Sequence, residues 1–244
     1  PVINDIREKF KGNWRKQSGC QVCVQKEEAG LPSKRQRSLQ YGYDGHIVNW
    51  DLRPSNTCNL KCAMCNYSNS SKWLEDIDIE EKYSGKRLIS NTTREDLDWD
   101  WIYSQVVDKA ESIYFAGGEP FYMKNVYKFL VDLSKNKWNC ENTDIKIQTN
   151  GVSNTPKLIE VLSKFKKRDF TISVDGWGEV NELIRFPTNH DTFIAMTDEI
   201  NSLEDHISFS ITLQAMNLPN IDTVVNNLKS RWSNSTINIH KLFS

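Results

Sequence analysis

The stretch HIVNWDLRPSNTCNLKCAMCN, residues 46–66, joins a predicted β-strand directly to a loop that carries three cysteines. Residues 46–53 alternate apolar and polar side chains, which is typical of a strand, and a proline ends the pattern. Cys58, Cys62 and Cys65 follow at C-x3-C-x2-C spacing. Because cysteines packed this closely suit metal ligation better than cross-linking, the stretch predicts a metal-binding loop at the end of a strand.

Three kinds of chemistry are open to a chain with 6 cysteines. An even count allows disulfides, but no secretory signal is present, which favours reduced thiols. A structural zinc site needs a fourth nearby ligand, and none follows Cys65 closely while the 4 histidines are scattered. Three thiolates on one loop can instead hold three irons of a [4Fe-4S] cube, with the fourth iron open to a small ligand. The pattern therefore favours a reactive iron–sulfur centre.

Length and charge limit the classes of protein that this chain can represent. Its 244 residues fit one barrel-sized or doubly wound domain with a small appendage. Lys and Arg number 31 against 32 Asp and Glu, which argues against a dedicated nucleic-acid binder. No apolar run approaches the roughly 18 residues that a membrane helix needs. We expect a cytoplasmic protein without membrane or nucleic-acid partners, and, since it opens on a proline and stops after a strand pattern, a fragment of a longer chain.

Strand and helix patterns alternate along the chain. Further strands are predicted at residues 112–116, 144–149, 170–174, 207–214 and 236–240. Helices are predicted at residues 99–110, 126–135, 156–165, 192–203 and 221–232, and residues 68–110 are predicted to be a long irregular connection leading into the first of them. Because right-handed βαβ units build parallel sheets, we predict an α/β fold, a partial (β/α)6 TIM-like barrel over residues 46–244.

Polar and glycine residues collect where the predicted strands end. They are Gly117, Gly118, Glu119, Pro120, Asn150, Ser173 and Asp175. Since barrels and doubly wound sheets bind ligands at the carboxyl ends of their strands, these residues predict a ligand-binding edge. Each motif alone is an ordinary turn, so their order after successive strands is what points to function.

The cysteine loop and the strand-end motifs together resemble those of the radical S-adenosylmethionine (SAM) enzymes. The motifs that carry the resemblance are GGEP at 117–120, TNG at 149–151 and SVDG at 173–176. LRPSN at 52–56 and LIRFP at 183–187 are similar, more narrowly, to members with a twitch or SPASM accessory module. The resemblance covers about residues 46–240.

The resemblance implies that Cys58, Cys62 and Cys65 ligate a [4Fe-4S] cluster whose open iron binds the amino and carboxylate groups of SAM. It places Met64 near the adenine, where family members usually carry an aromatic or apolar residue; loop packing is the simpler alternative. It also implies that 117–120 form part of the SAM site, where glycine backbone approaches the methionyl ammonium and Glu119 neutralises it or shapes the turn.

The remaining SAM contacts implied by the resemblance come from later strand ends. Asn150, Ser173 and Asp175 offer hydrogen-bond partners to the ribose hydroxyls, with simple turn formation as the alternative. Arg185 suits the SAM carboxylate, and a solvated arginine at a helix edge is the alternative. Three further residues, candidates for the adenine edge, end the fifth strand: Gln214, Ala215 and Asn217.

The implied reaction begins when the reduced cluster gives one electron to SAM, which yields methionine and a 5′-deoxyadenosyl radical. That radical takes a hydrogen atom from a peptide, protein or small-molecule substrate, while the protein orients SAM and excludes water and oxygen. A flavodoxin- or ferredoxin-type electron donor is an implied partner. Two other classes stay open from the residues alone, an Fe–S electron carrier without SAM chemistry and a zinc-stabilised binding module, although neither needs the strand-end motifs.

Residues 1–45 form a separate segment with one C-x2-C pair, Cys20 and Cys23. Such a pair can be a redox pair, half a zinc site or two ligands of an auxiliary Fe–S cluster, and the lack of a preceding βα pattern disfavours the first. The segment resembles the closing cysteines of a twitch or SPASM module, which implies an auxiliary Fe–S cluster with its other ligands upstream of Pro1. Cys140 lies alone in a polar stretch and is predicted to be a bystander thiol.

Overall fold

Six parallel strands form one open sheet in the computed structural model, which describes residues 15, 20–39, 47–84, 97–153, 156–203 and 206–242. The strands are β1 (Asn49–Leu52), β2 (Ser112–Phe115), β3 (Asp144–Thr149), β4 (Lys167–Ser173), β5 (Ile207–Leu213) and β6 (Thr236–Lys241). Each pairs in parallel with the next in chain order, with Leu52 opposite Phe115 and Ile147 opposite Phe170. All carboxyl ends therefore meet at one edge of the sheet.

Helices connect the successive strands. They are α3 (Ile77–Ser84) and α4 (Trp99–Val106) after β1, α5 (Lys124–Leu133) and α6 (Lys137–Asn142) after β2, α7 (Pro156–Leu162) after β3, α8 (Glu179–Ile184) and α9 (His190–Asn201) after β4, and α10 (Ile221–Arg231) after β5. Polar side chains cap several of them, as where Asp98 accepts from the Trp101 amide (2.9 Å) and Asn189 from the Thr192 amide (2.9 Å).

Alternate residues of the central strands pack against these helices. In β3 the buried residues are Ile145, Ile147 and Thr149, and in β5 they include Phe209 and Ile211. The apolar members of both sets belong to one cluster with helix side chains such as those of α5. The intervening polar side chains are only half-buried, so one face of the sheet is a hydrocarbon core and the other is polar.

The predicted connection over 68–110 is wrong in part. After the cysteine loop the chain forms a 3-10 helix, Ser71–Asp76, that runs into α3, because Ser70 accepts from the Lys72 amide and caps the turn. Residues 85–96 lie outside the described residues. The short helices α6 and α8 were not predicted either, since they are too short and polar to show a helical period.

The chain divides into two compact units between His46 and Ile47. The described part of the first unit consists mainly of α1 (Gln21–Glu28) and α2 (Lys34–Leu39). Glu27 accepts from the Ser33 hydroxyl (2.6 Å) and from Arg35 Nε (2.9 Å) and Nη2 (2.6 Å), which ties the two helices together. Cys20 lies at the start of α1 and Cys23 within it, and both are free thiols.

Across the described residues, no helix combines the length and the apolar character that crossing a membrane requires.

Candidate active site

The cysteine loop is held at the carboxyl end of β1 by contacts with distant segments. Lys61 and Cys62 pair in antiparallel fashion with Phe186 and Arg185, and the Ala63 amide donates to the Ile184 carbonyl (2.7 Å). The Ser70 hydroxyl donates to the Leu60 carbonyl (2.5 Å). The loop is therefore fixed by the backbone of residues that follow β4, as well as by its own turns.

The three cysteines differ in their electrostatic surroundings. All are free thiols, and Cys62 is the most buried at 5% exposure. Burial raises the pKa of Cys58. The pKa of Cys62 is raised because its thiol hydrogen-bonds to Cys65 and because it is buried, and the same hydrogen bond lowers the pKa of Cys65. The loop thus places three softly ligating sulfurs close together, without a disulfide.

A cavity of about 300 Å³ lies over the cysteine loop at the carboxyl edge of the sheet. It brings together nine of the predicted site residues: Cys58, Cys62, Met64, Cys65, Gly117, Gly118, Asn150, Ser173 and Arg185. Glu119, Pro120, Asp175, Gln214, Ala215 and Asn217 are not among its lining residues. The cavity also has lining residues that sequence reasoning missed: Arg53, Leu60, Asn69, Ser70, Ala116, Gln148, Thr149, Ser210 and Thr212.

A signal for several missed residues is present in the strands themselves. Parallel strands covered on both faces usually form continuous apolar runs. Here β3 and β5 alternate, so that Gln148, Ser210 and Thr212 occupy the polar face that the cavity uses. This alternation in a parallel strand indicates a polar barrel interior. Arg53 ends the alternating pattern of residues 46–53, whereas Asn69 gives no such signal.

The glycine turn leaves no space for a side chain. Gly118 has a φ of +54°, and a Cβ there would lie 2.3 Å from the Thr57 carbonyl oxygen and 2.7 Å from Met123 Cε. The Glu119 amide donates to the same carbonyl (2.9 Å). The backbone of the turn therefore packs directly on the segment that leads into Cys58.

Glu119 points away from the cavity and organises the turn. Its side chain accepts from the Phe121 amide (3.0 Å), the Thr149 hydroxyl (2.7 Å) and the Asn150 amide (2.6 Å). Burial raises the pKa of Glu119 to about 7, although these three hydrogen bonds and Arg185 oppose the shift. The carboxyl group thus joins the turn after β2 to the end of β3.

Arg185 lies between Asp175 and the cysteines. Its Nη2 is 2.6 Å from Asp175 Oδ2, and its Nη1 is 3.8 Å from Cys62 Sγ. Asp175 is fully buried and also accepts from the Thr212 amide (2.6 Å). Arg185 Nε is buried and lacks a hydrogen-bond partner within the described residues, so one donor remains free to serve a ligand in the cavity.

Asn217 and Gln214 close a turn after β5. Asn217 accepts from the Gln214 amide (2.9 Å) and donates to the Thr212 carbonyl (2.9 Å). In the described ranges, no group of three or more Cys, His, Asp or Glu side chains is placed to hold a single metal ion.

The residues present fit a bound iron–sulfur cluster and SAM. Three unpaired cysteines on one loop form a soft donor set, and an uncompensated arginine donor lies beside them. The glycine turn brings backbone against the cavity where a Cβ has no room. The fold is an open six-stranded α/β barrel in which the cysteine loop follows the first strand.

The family model of the Radical SAM superfamily matches residues 52–214, more than half of the chain. The chain therefore belongs to the radical SAM superfamily of enzymes. It is 30% identical over 115 residues to the radical SAM cyclopropyl synthase TigE of Paramaledivibacter caminithermalis, a match that covers 46% of this chain and 24% of TigE.

Two solved structures share the fold. One is native anSMEcpe with bound AdoMet, with a TM-score of 0.60 and 18% identity over 81% of this chain and 52% of that one. The other is Streptococcus suis SuiB bound to precursor peptide SuiA, with a TM-score of 0.56 and 17% identity over 85% of this chain and 42% of SuiB. The predicted partial (β/α)6 TIM-like barrel is confirmed. The chain spans about half or less of the length of each of these three proteins.

Proposed function

We propose that this chain carries the catalytic centre of an enzyme that cleaves SAM reductively and modifies a substrate by hydrogen abstraction. One observation carries the proposal: the cavity over the cysteine loop is lined by the three cysteines, the glycine turn and polar residues from three further strands. Neither an electron carrier nor a zinc module needs that combination. When bound, the cluster supplies the electron that breaks a carbon–sulfur bond of SAM and so starts radical chemistry.

The residues of the cavity divide into two groups by role. Cys58, Cys62 and Cys65 hold the [4Fe-4S] cluster. The residues that bind SAM are proposed to be Met64, Gly117, Gly118, Asn150, Ser173 and Arg185, with Ser210 and Thr212 as further hydrogen-bonding groups. Glu119 and Pro120 act by shaping the turn, since Glu119 is committed to three donors of the chain itself.

Arg185 and Asp175 fix the charge distribution of the site. Asp175 holds the Arg185 guanidinium at 2.6 Å, so the cation is preorganised before SAM binds. The free Nε donor of Arg185 is available to the SAM carboxylate. Asp175 then acts on the SAM site indirectly, by positioning Arg185 and by accepting from the Thr212 amide (2.6 Å).

The substrate is proposed to be a peptide or protein, with a small molecule as the other candidate. SuiB has been solved with a precursor peptide, and the polar barrel interior of this chain suits the amide groups of such a substrate. A flavodoxin- or ferredoxin-type protein in the cytoplasm would supply the electron. Cys20 and Cys23 are proposed to ligate an auxiliary Fe–S cluster whose other ligands come from outside residues 20–39.

The test of the proposed function is SAM cleavage by the reconstituted protein. After reduction with dithionite we expect 5′-deoxyadenosine from the wild type, whereas Cys62→Ala loses both the iron-dependent absorption and the product. Cys140→Ala is the matched control, because Cys140 is a half-buried thiol outside the cysteine loop that donates to the Ser134 carbonyl (3.3 Å). An Fe–S protein that makes no 5′-deoxyadenosine would be an electron carrier, and cleavage retained in Cys62→Ala would exclude the ligand assignment.

A further inference from the structure

A second groove, of about 690 Å³, lies between α5 and α7 beside the cysteine cavity. Its floor is apolar and includes Phe121, Met123, Val152 and Leu158. A cavity of about 430 Å³ adjoins it, and the two share Tyr122, Met123 and Lys124 in their linings. The two cavities together form one continuous groove, and the proposed SAM chemistry does not use it.

The charged groups along this groove are basic, and they stand among neutral polar and aromatic side chains. Lys124 and Lys157 line it and are exposed, and no Asp or Glu is among the residues that line either cavity. Neither lysine forms an ion pair with any residue that the structure describes. Tyr122 is 56% exposed and Tyr127 is 36% exposed. Exposed aromatic rings beside an apolar patch are typical of a binding surface.

The groove is joined to the candidate active site through one hydrogen bond. Asn59 lines the groove and Asn150 lines the cysteine cavity, and Asn150 Nδ2 donates to Asn59 Oδ1 (2.8 Å). Asn59 also lies within the cysteine loop itself. A chain segment bound in the groove would therefore end beside the place where hydrogen abstraction is proposed.

We propose that this groove binds an acidic peptide segment with apolar side chains, a part of the substrate remote from the residue that reacts. The inference rests on the proposed function, which it deepens by assigning a docking site and an acidic character to the peptide substrate. Lys124 and Lys157 form no ion pair within the part of the chain that the structure describes and so complement carboxylates, and the apolar floor accepts the side chains between them. An oligonucleotide fits less well, because the chain has a net charge of -1 and the groove offers only these two cations for a run of phosphates.

Peptide binding to the full chain tests the inference without any need for the cluster. The probe is a short fluorescein-labelled peptide of alternating glutamate and leucine, measured by fluorescence anisotropy at low salt. The double variant Lys124→Glu/Lys157→Glu should bind it about tenfold more weakly than the wild type, since each exposed charge pair contributes modestly and both are reversed. A peptide with lysine in place of glutamate should bind the wild type more weakly.

Two controls separate this surface from general charge effects. Lys109→Glu/Lys164→Glu makes the same change in net charge at exposed positions that precede β2 and β4, at the opposite edge of the sheet, and should bind as the wild type does. A labelled single-stranded RNA should bind without dependence on Lys124 and Lys157. Equal binding of the acidic and basic peptides, equal losses in both double variants, or lysine-dependent RNA binding would each overturn the inference.

The same variants distinguish failure of the inference from failure of the proposed function. Formation of 5′-deoxyadenosine without peptide should be unchanged in Lys124→Glu/Lys157→Glu, because neither lysine lines the cysteine cavity. If the wild type cleaves SAM but the peptide results fail, only the docking groove is wrong. If the wild type cannot cleave SAM, the proposed function is wrong, whatever the groove binds.

Discussion

At the scale of single residues, Gly118 is a position where one added methyl group has a large expected effect. At this positive φ any other residue suffers backbone strain of about 1–2 kcal/mol. A Cβ would also lie 2.3 Å from the Thr57 carbonyl oxygen, which adds a clash with rigid backbone. We expect Gly118→Ala to lower the free energy of unfolding by about 1–3 kcal/mol more than a glycine substitution that adds backbone strain alone. Urea denaturation with and without the reconstituted cluster measures this.

Gly178 provides the matched control for that prediction. It has a similar φ of +59°, but no atom lies within 4 Å of a built Cβ, so Gly178→Ala carries backbone strain alone. Gly118→Ala should also lose iron, because the displaced Thr57 carbonyl precedes Cys58. Equal destabilisation of the two variants would show that close backbone approach is not what Gly118 provides.

The sequence predicted residues of the site unevenly, for physical reasons. Cys58, Cys62 and Cys65 were predicted because metal ligands are recognisable by type and spacing. Asp175 was predicted to bind ligand, but its carboxylate lies buried against Arg185. Sequence shows which residues end a strand, but it does not show which way their side chains point. Ser210 and Thr212 line the cavity but were overlooked, because serine and threonine are common in strands and elsewhere.

At the scale of structural elements, the Glu119 carboxyl group connects the turn after β2 to the end of β3. Its titration makes the free energy of unfolding depend on pH. Its pKa is raised from 4.5 to about 7, so the folded protein binds more protons than the unfolded chain between those values. The free energy of unfolding should therefore fall as pH rises from about 4.5 to 7, by at most about 1.4 kcal/mol per pH unit from this group.

Denaturation at several pH values tests this contribution of Glu119 to the free energy of unfolding. Glu119→Gln cannot titrate, so its free energy of unfolding should fall less steeply than that of the wild type across this range. Glu160→Gln, an exposed carboxylate on α7, should keep the slope of the wild type. Parallel curves for the wild type and Glu119→Gln would contradict the raised pKa.

Elements with a strong period were predicted well, and short elements were not. β3 was predicted with its observed bounds, 144–149. α9 begins and ends two residues earlier than its predicted range, 192–203. The two-residue strands at 61–62 and 185–186 have no local signal, because they exist through pairing between distant segments. α8 follows Gly178, which has a positive φ. Asn181 within the helix accepts from the Asp175 amide (2.9 Å), a contact that the local sequence does not reveal.

At the scale of the whole molecule, the two compact units have separable roles in the proposed chemistry. Cys20→Ser/Cys23→Ser should lower the iron content of the reconstituted protein, if the first unit ligates an auxiliary cluster, while the absorption that depends on Cys62 remains. Iron and sulfide analysis measures this, with Cys140→Ala as the control for loss of a thiol. Iron content equal to that of the wild type would show that Cys20 and Cys23 bind no iron within this chain.

The pairing of the cysteine loop with the segment after β4 bears on the order of events during biosynthesis. Cys62 and Arg185 are 123 positions apart, and Asn59 and Asn150 are 91 apart. A nascent chain emerging from the ribosome therefore exposes its three thiols well before the residues that immobilise them have been translated. Assembly of the iron–sulfur cluster therefore has to follow translation of the later half of the chain. Until then the three thiols are exposed and open to oxidation.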